Sequence, residues 1–196
     1  CVVLIKKGKT MKKIKIGFLP FYIKLYDDTG NGAAARPGLV KFYNDLADRF
    51  RGMGFDVLTS DFCRIKPEFA ETVGRFEAEG ADCILTWHAA YSPSLECIDV
   101  LAATKLPIVV LDTTQVYDFG PMQEPSMISY CHGIHGVMDM CNLLRRRGKK
   151  YAIAAGHPDH SDVLERAVGY IRASVAASSL AGSRTASIGG SFDGMG

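Results

Sequence analysis

The hydrophobic pattern alternates between short apolar runs and longer stretches in which apolar residues recur at helical spacing. The short runs predict six strands, at residues 14–19, 55–59, 83–87, 107–111, 151–155 and 185–188. Between them, helical spacing and capping residues predict five helices, which lie within residues 39–54, 67–80, 92–101, 132–147 and 161–180. This order predicts a doubly wound, mostly parallel α/β sheet of about six strands with helices on both faces, a Rossmann-like or flavodoxin-like three-layer arrangement.

Several details of these elements are specific enough to check. Pro20 is expected to end the first strand, because proline lacks the N–H that a strand ladder needs. Ser92-Pro93 is expected to cap and open the third helix, with Leu95 on its buried face. Ile134 and Met138 occupy apolar positions of the following helix, so we expect both side chains to be buried.

The chain divides at two places. Met11 begins a more natural protein start than Cys1 does, so we expect residues 1–10 to be an extension without ordered structure. Residues 11–188 then form one N-terminal α/β domain. The Gly189-Gly190 pair is typical of a domain boundary, so residues 189–196 are expected to begin a following domain that is absent here.

Composition narrows the class of partner. The chain is 47% hydrophobic and 22% charged, with a formal net charge of +2, and the only dense basic run, residues 145–150, falls at a predicted helix end. We therefore predict no nucleic-acid partner. No stretch approaches the ~20 apolar residues of a membrane span, so no membrane is predicted. The six cysteines show no zinc spacing, with Cys83 and Cys97 at core positions, which favours a reduced, cytoplasmic protein.

All five histidines follow predicted strands or begin the helices after them. They are His88, His132, His135, His157 and His160. The carboxyl ends of parallel strands form the edge at which such sheets bind ligands. Polar, titratable side chains gathered there indicate a site for a polar small molecule.

Five residues are the candidates for contact with that molecule. Tyr91 offers a stacking surface and His88 a hydrogen-bond donor, although the same segment also suits a plain capping turn. Thr113 follows the fourth strand, and Tyr22 lies in an aromatic, polar loop that either binds a sugar or only covers the sheet edge. His132 is the strongest candidate. Its i, i+3 spacing from His135 could chelate a metal, but the pattern is not HExxH, so we assign no metal ligand.

Sequence motifs of complete enzymes are missing. The first strand is not followed by GxGxxG, no Walker A segment occurs, and no Gly-x-Ser-x-Gly elbow is present. No carboxylate pair of the Glu-x-x-His type is present either. The predicted edge is suited to binding, and no catalytic residue is assigned.

The edge segments, taken in order, resemble the N-terminal region of the L-fucose/L-arabinose isomerase family. The resemblance covers roughly residues 13–196 and no single motif in it is diagnostic. The stretches that carry it are Lys15-Ile-Gly-Phe-Leu, Thr86-Trp-His-Ala-Ala-Tyr-Ser-Pro93, Pro107-Ile-Val-Val-Leu-Asp-Thr-Thr114, Cys131-His-Gly133 and Gly189-Gly-Ser-Phe-Asp-Gly-Met-Gly196.

The resemblance implies aldose–ketose isomerisation of a pentose or 6-deoxyhexose by a longer parent protein, through an enediolate on Mn²⁺ or another divalent metal. It implies that the metal ligands lie in later domains, so this chain alone would bind no cofactor and be inactive. It also implies a homo-oligomer, a trimer or hexamer, in which His132 and Tyr91 reach a neighbouring subunit's sugar. The family's glutamine three residues before that histidine is Ser129 here.

Two other interpretations stay open. One is a non-enzymatic sugar-binding domain that resembles a lobe of a periplasmic-binding or repressor-core protein, since such lobes also use parallel sheets with polar strand ends. The other is a flavodoxin-like interaction domain that binds no sugar.

Overall fold

A computed structural model describes residues 12–184 and Gly194. Its centre is a parallel sheet of five strands: β1 (Lys15–Phe21), β2 (Asp56–Leu58), β3 (Cys83–His88), β4 (Ile108–Asp112) and β5 (Tyr151–Ala155). The strand order is β2-β1-β3-β4-β5, and every pairing is parallel. The predicted α/β class is therefore confirmed. The predicted sixth strand, residues 185–188, lies outside the described residues.

Helices connect the strands and cover both faces of the sheet. They are α1 (Gly30–Gly52), α2 (Lys66–Ala78), α3 (Ile98–Ala103), α4 (Ile128–Cys131), α5 (Gly133–Arg146) and α6 (Val163–Ala181). Three short 3-10 turns accompany them, at Lys24–Asp28, Ser94–Glu96 and Pro125–Met127. No helix in residues 12–184 combines the length and hydropathy needed to cross a bilayer.

The two faces of the sheet bury two separate apolar clusters. On one face, α1 and α6 pack over Phe18, Leu85 and Trp87. On the other face, α2, α3 and α5 pack over Leu19, Ile84 and Val110. Because successive residues of a strand point to opposite faces, each central strand contributes to both clusters and reads as a continuous apolar run.

Pro20 does not end β1, contrary to the prediction. The strand continues to Phe21, and Pro20 pairs with Trp87 of β3. On its other side β2 already ends at Leu58, so no ladder bond from β2 is lost at the proline. The carbonyl of Pro20 instead accepts from the backbone N–H of Cys63 at 2.9 Å.

The start of the third helix also differs from the prediction. Ser92 caps nothing, and its backbone neighbour Pro93 is extended (φ −63°, ψ 119°). A 3-10 turn follows, and α3 begins only at Ile98. Leu95 lies in that turn and is 65% exposed, so it is not a core residue.

Ile134 and Met138 are the third correction, since both lie on α5 but are 40% and 56% exposed. They lie beside Ile153 of β5, the last strand of the described sheet, where no further strand covers them. Val137 and Cys141, on the same helix, are buried as predicted.

Cys83 and Cys97 are buried, as predicted, and burial raises the pKa of both thiols to about 12.

The basic run, residues 145–150, begins at a helix end, as predicted. Arg145 and Arg146 occupy the last turn of α5, where cations complement the helix dipole. Lys149 turns inward and donates to the backbone carbonyls of Thr104 and Leu106.

A buried tyrosine links α1 to the sheet and gives a first prediction. The Tyr43 hydroxyl donates to the carbonyl of Phe18 at 2.6 Å and accepts from the backbone N–H of Ser60 at 3.1 Å. Tyr43→Phe leaves both backbone groups without this partner. We expect a loss of about 1–3 kcal/mol in the free energy of unfolding, measured by urea denaturation. Tyr170→Phe, at a position that is 38% exposed, is the control, and equal losses in both variants would contradict the role of Tyr43.

Candidate functional site

The carboxyl ends of β3 and β4 lie side by side and carry most of the predicted site residues. His88 is the last residue of β3, and Tyr91 follows in the next loop. Thr113 comes directly after β4. His132 lies between α4 and α5 and reaches the same edge of the sheet.

Tyr91 and His132 are brought together at the surface. Their rings are nearly parallel, at 11°, with centroids 6.4 Å apart, and both residues are half-buried. The Tyr91 hydroxyl donates to Oδ2 of Asp139 at 3.4 Å. Partial burial, together with the Asp139 carboxylate, raises the pKa of Tyr91, so this phenol stays neutral at physiological pH.

The hydrogen bond of His132 defines which ring nitrogen is available. Nδ1 lies 2.5 Å from the backbone carbonyl of Ile128. A carbonyl can only accept, so Nδ1 carries the proton of the neutral ring. Nε2 is then the acceptor, suited to a hydroxyl group of a ligand.

A cavity of about 320 Å³ lies beside His132. Its walls come from the loop after β4 and from α4, and they combine apolar side chains with a few polar ones: Thr114, Val116, Phe119, Ile128, Cys131 and His132. This volume is at the lower end of the range for small-molecule sites. His132 therefore lies between a small cavity and the ring of Tyr91.

His88 lies beneath this surface rather than on it. It is 4% exposed, its ring stacks on Phe21 at 4.3 Å, and neither ring nitrogen has a hydrogen-bond partner. Burial alone lowers the pKa of His88 to about 3, so the ring is neutral at physiological pH. Its role as a hydrogen-bond donor to a ligand stays a prediction. In the structure the ring packs beneath the first turn of α5.

Thr113 and Tyr22 are also buried, at 5% and 0% exposure. The carbonyl of Thr113 accepts from the indole N–H of Trp87 at 3.0 Å, while its hydroxyl has no partner. The Tyr22 hydroxyl is unpartnered as well, and burial raises the pKa of Tyr22 to about 12. Of the five predicted contact residues, only Tyr91 and His132 reach the surface.

The first turn of α5 makes an unusually close contact with the end of β3. A Cβ at Gly133 would lie 2.6 Å from the carbonyl oxygen of His88. A Cβ at Gly136 would lie 2.8 Å from Cδ2 of His88 and 3.0 Å from the backbone nitrogen of Ser92. Two glycines one turn apart therefore let the helix rest directly on the strand end, and this contact places His132 beside Tyr91.

Sequence reasoning missed an ion-pair cluster at the β2 side of the same edge. Asp27 pairs with Arg36 at 2.6 Å and also with Arg64, which in turn pairs with Glu68 at 2.6 Å. The only signal in the sequence was the i, i+4 spacing of Arg64 and Glu68. Each arginine of this cluster already has a carboxylate partner, so the cluster is suited to holding the loops after β1 and β2 in place.

Two of the other histidines, His157 and His160, form a separate group after β5. Tyr117 stacks on His160 at 4.0 Å, and the rings of His157 and His160 are 4.9 Å apart. Nδ1 of His157 accepts from the backbone N–H of Asp159 at 3.2 Å. These side chains are not brought to Tyr91 and His132, so the five histidines do not form one site.

The described residues do not fit a metal centre. Within residues 12–184 no three side chains of His, Cys, Asp or Glu converge as metal ligands would. The i, i+3 pair, His132 and His135, has its rings 5.4 Å apart and no third ligand. That a divalent metal is held by later domains of a longer parent protein stays a prediction.

Comparisons with known proteins add little to this geometry. No family model matches the chain, and no curated protein sequence matches it. Among solved structures, the chain is similar to the Escherichia coli transcriptional repressor ascG, at 12% identity over 86% of this chain and 72% of that one, with a TM-score of 0.33. It is also similar to a periplasmic binding ribose operon repressor protein from Lactobacillus acidophilus, at 14% identity over 81% and 63%, with a TM-score of 0.26. Similarities this low carry no functional conclusion.

The close contact of α5 predicts opposite effects for two Gly→Ala substitutions. Gly136→Ala forces the helix away from His88 and Ser92, and we expect a loss of about 1–3 kcal/mol in the free energy of unfolding. Gly169→Ala, in the middle of α6 with no atom within 4 Å of the new Cβ, is expected to gain up to about 1 kcal/mol. Urea denaturation measures both. A stabilised Gly136→Ala variant would show that the helix is not held this closely.

The buried His88 predicts a dependence of stability on pH. Folded His88 stays neutral down to pH about 3, whereas in the unfolded chain it gains a proton near its ordinary pKa of 6.5. Below pH 6.5 the unfolded state binds more protons, so stability falls as pH falls. Between pH 7 and pH 5 the native chain should lose about 2 kcal/mol more than His88→Phe does. An unchanged slope in His88→Phe would contradict the burial of a neutral ring.

Proposed function

We propose that this chain is the N-terminal α/β domain of a sugar ketol-isomerase-like protein and that the surface formed by Tyr91 and His132 contacts the sugar. The observation that carries the proposal is the pairing of these two rings next to the small cavity at the carboxyl ends of β3 and β4. Both residues lie on segments for which the sequence resembles the L-fucose/L-arabinose isomerase family.

The chemistry of this surface suits a polyol. Nε2 of His132 is an acceptor for a sugar hydroxyl, because Nδ1 already donates to the carbonyl of Ile128. The ring face of Tyr91 offers an apolar surface for the C–H groups of a sugar, while its hydroxyl is held by Asp139. An acceptor next to an aromatic face is a common means of recognising carbohydrate.

Binding and orientation are the functions that these residues can supply. In an aldose–ketose isomerase, a divalent metal polarises the sugar oxygens. Tyr91 offers the sugar a ring face and His132 offers it a hydrogen-bond acceptor, and no catalytic role is assigned to either residue. Under the proposal the domain positions one end of the sugar, and the proton transfers take place on residues of other domains.

A second candidate function uses the same surface without a reaction. A sugar-binding domain similar to one lobe of a periplasmic-binding or repressor-core protein would also present a polar strand edge to a sugar. The five-stranded parallel sheet is compatible with it. The two functions differ in one outcome, since only the isomerase converts an aldose to a ketose.

The proposal predicts that the 196-residue chain binds a free sugar at this surface. Titration with L-arabinose, L-fucose and D-ribose, followed by NMR, should shift the resonances of His132 and Tyr91. His132→Ala removes one hydrogen bond, so we expect binding about five- to tenfold weaker. His160→Ala, which alters a histidine of the separate group after β5, should bind as the native chain does.

Two results would count against the proposal. If no sugar perturbs His132 or Tyr91, the surface is not a sugar site in this chain. If the sugar binds but His132→Ala binds equally well, the role of His132 is wrong. If the sugar binds and His132→Ala weakens it, metal-dependent conversion of an aldose by the whole parent protein decides between an isomerase and a binding domain.

A further inference from the structure

The two edges of the sheet differ in how well they are protected. The β2 edge has only three residues, and short edge strands are one way in which proteins avoid unwanted pairing. The β5 edge has five residues, Tyr151–Ala155, and no strand pairs with its outer side within the described residues. Ile153 at its centre is 38% exposed, so an apolar strand faces outward here.

Apolar grooves flank this edge on both faces of the sheet. On the α5 face, a groove of about 710 Å³ is lined by the exposed side chains of Ile134, Met138 and Ile153. On the α6 face, a groove of about 490 Å³ is lined by Ala152 and by residues of α6. A strand added to β5 would bury side chains in both grooves.

The direction of the backbone groups of β5 follows from one hydrogen bond. The N–H of Gly156 donates to the carbonyl of Asp112 on β4, at 3.0 Å. Because successive residues of a strand alternate in direction, residues 152 and 154 also point toward β4. The N–H and C=O groups of Tyr151, Ile153 and Ala155 therefore point outward.

A right-handed connection out of α6 does not lead to the outer side of β5. The connection from β1 to β2 crosses the face that holds α1 and leads away from β5, as a right-handed crossover requires. Since α6 lies on this same face, a parallel strand added outside β5 directly after it would need a left-handed crossover. Only about 2% of such connections are left-handed.

We propose that two copies of this chain pair antiparallel along β5, with the two-fold axis at Ile153. Residue 153 then faces its own copy, and residues 151 and 155 face each other. Each of these is a hydrogen-bonded pair that exchanges two N–H···O bonds, which gives six backbone hydrogen bonds and one continuous ten-stranded sheet. The two-fold axis is perpendicular to the sheet, so the α5 helices of the two copies lie on the same face of the ten-stranded sheet.

Charge along the α5-face groove favours this self-pairing. Asp112 lies at one end of the groove, and Arg145 and Arg146 lie at the other. A two-fold axis at the centre reverses the second copy, so the basic end of each groove meets the acidic end of its partner. Parallel pairing would instead set the arginines against one another.

Sedimentation equilibrium of the 196-residue chain tests the dimer. We expect a mass that rises with concentration from one copy to two. Met138→Lys, which leaves the strand unchanged, should weaken the dimer at least tenfold by placing charges in the shared apolar groove. Leu180→Lys, at a 72% exposed position near the end of α6, is the matched control and should dimerise as the native chain does.

Cysteine cross-linking tests the register. In a hydrogen-bonded pair the Cα atoms are about 5.5 Å apart, within the range of a disulfide. Ile153→Cys should therefore give an oxidised dimer above the background of the native chain. Tyr151→Cys should not, because the two copies of residue 151 are about 14 Å apart in this register.

Each result bears on the proposal. A native chain that stays a single copy at ~100 μM overturns it. So does a dimer that Met138→Lys leaves unchanged, because the contact would then lie elsewhere. A stronger cross-link at residue 151 than at residue 153 overturns the two-fold axis at Ile153.

Discussion

The first turn of α5 rests directly on the backbone that leaves β3, because Gly133 and Gly136 carry no Cβ at the contact. This contact fixes the height of α5 above the sheet and thereby the position of His132 at its start. It also encloses His88, whose ring is held between Phe21 and the helix. The geometry of the candidate site therefore depends on the absence of two methyl groups, rather than on any bond that the site residues make among themselves.

The predicted site residues fall into two groups, one that is buried and one that a ligand could contact. His88, Thr113 and Tyr22 are buried and each has a side-chain polar atom without a partner, whereas Tyr91 and His132 are partly exposed. Unsatisfied buried polar atoms cost stability, and such groups often occur near functional sites. Of the three, His88 packs against Gly133 and Gly136, at the start of the helix that follows His132.

The architecture of the sheet was predictable from the sequence, because the apolar runs of β3 and β4 and the helical spacing of α1, α2 and α5 are long and regular. The predictions were wrong where an adjacent element of the structure determines the end of a strand or the exposure of a side chain. Pro20 is tolerated because β2 is short, and Leu95 is exposed because the chain stays extended at Pro93. Ile134 and Met138 have apolar spacing but lie beyond the last strand of the described sheet. Within the site, the sequence could place residues at one edge of the sheet. It could not tell which of them lie on the surface, since this depends on how closely α5 approaches.

Trp87 is the only tryptophan of the chain, and it lies at the end of β3 with its indole N–H bonded to the loop after β4. Its ring is stacked against Tyr43 at 6.0 Å and is 1% exposed. The tryptophan fluorescence of this chain therefore originates from the junction between these two strand ends. Any change that separates them, whether by denaturant or by a ligand, is reported by this one chromophore without a label.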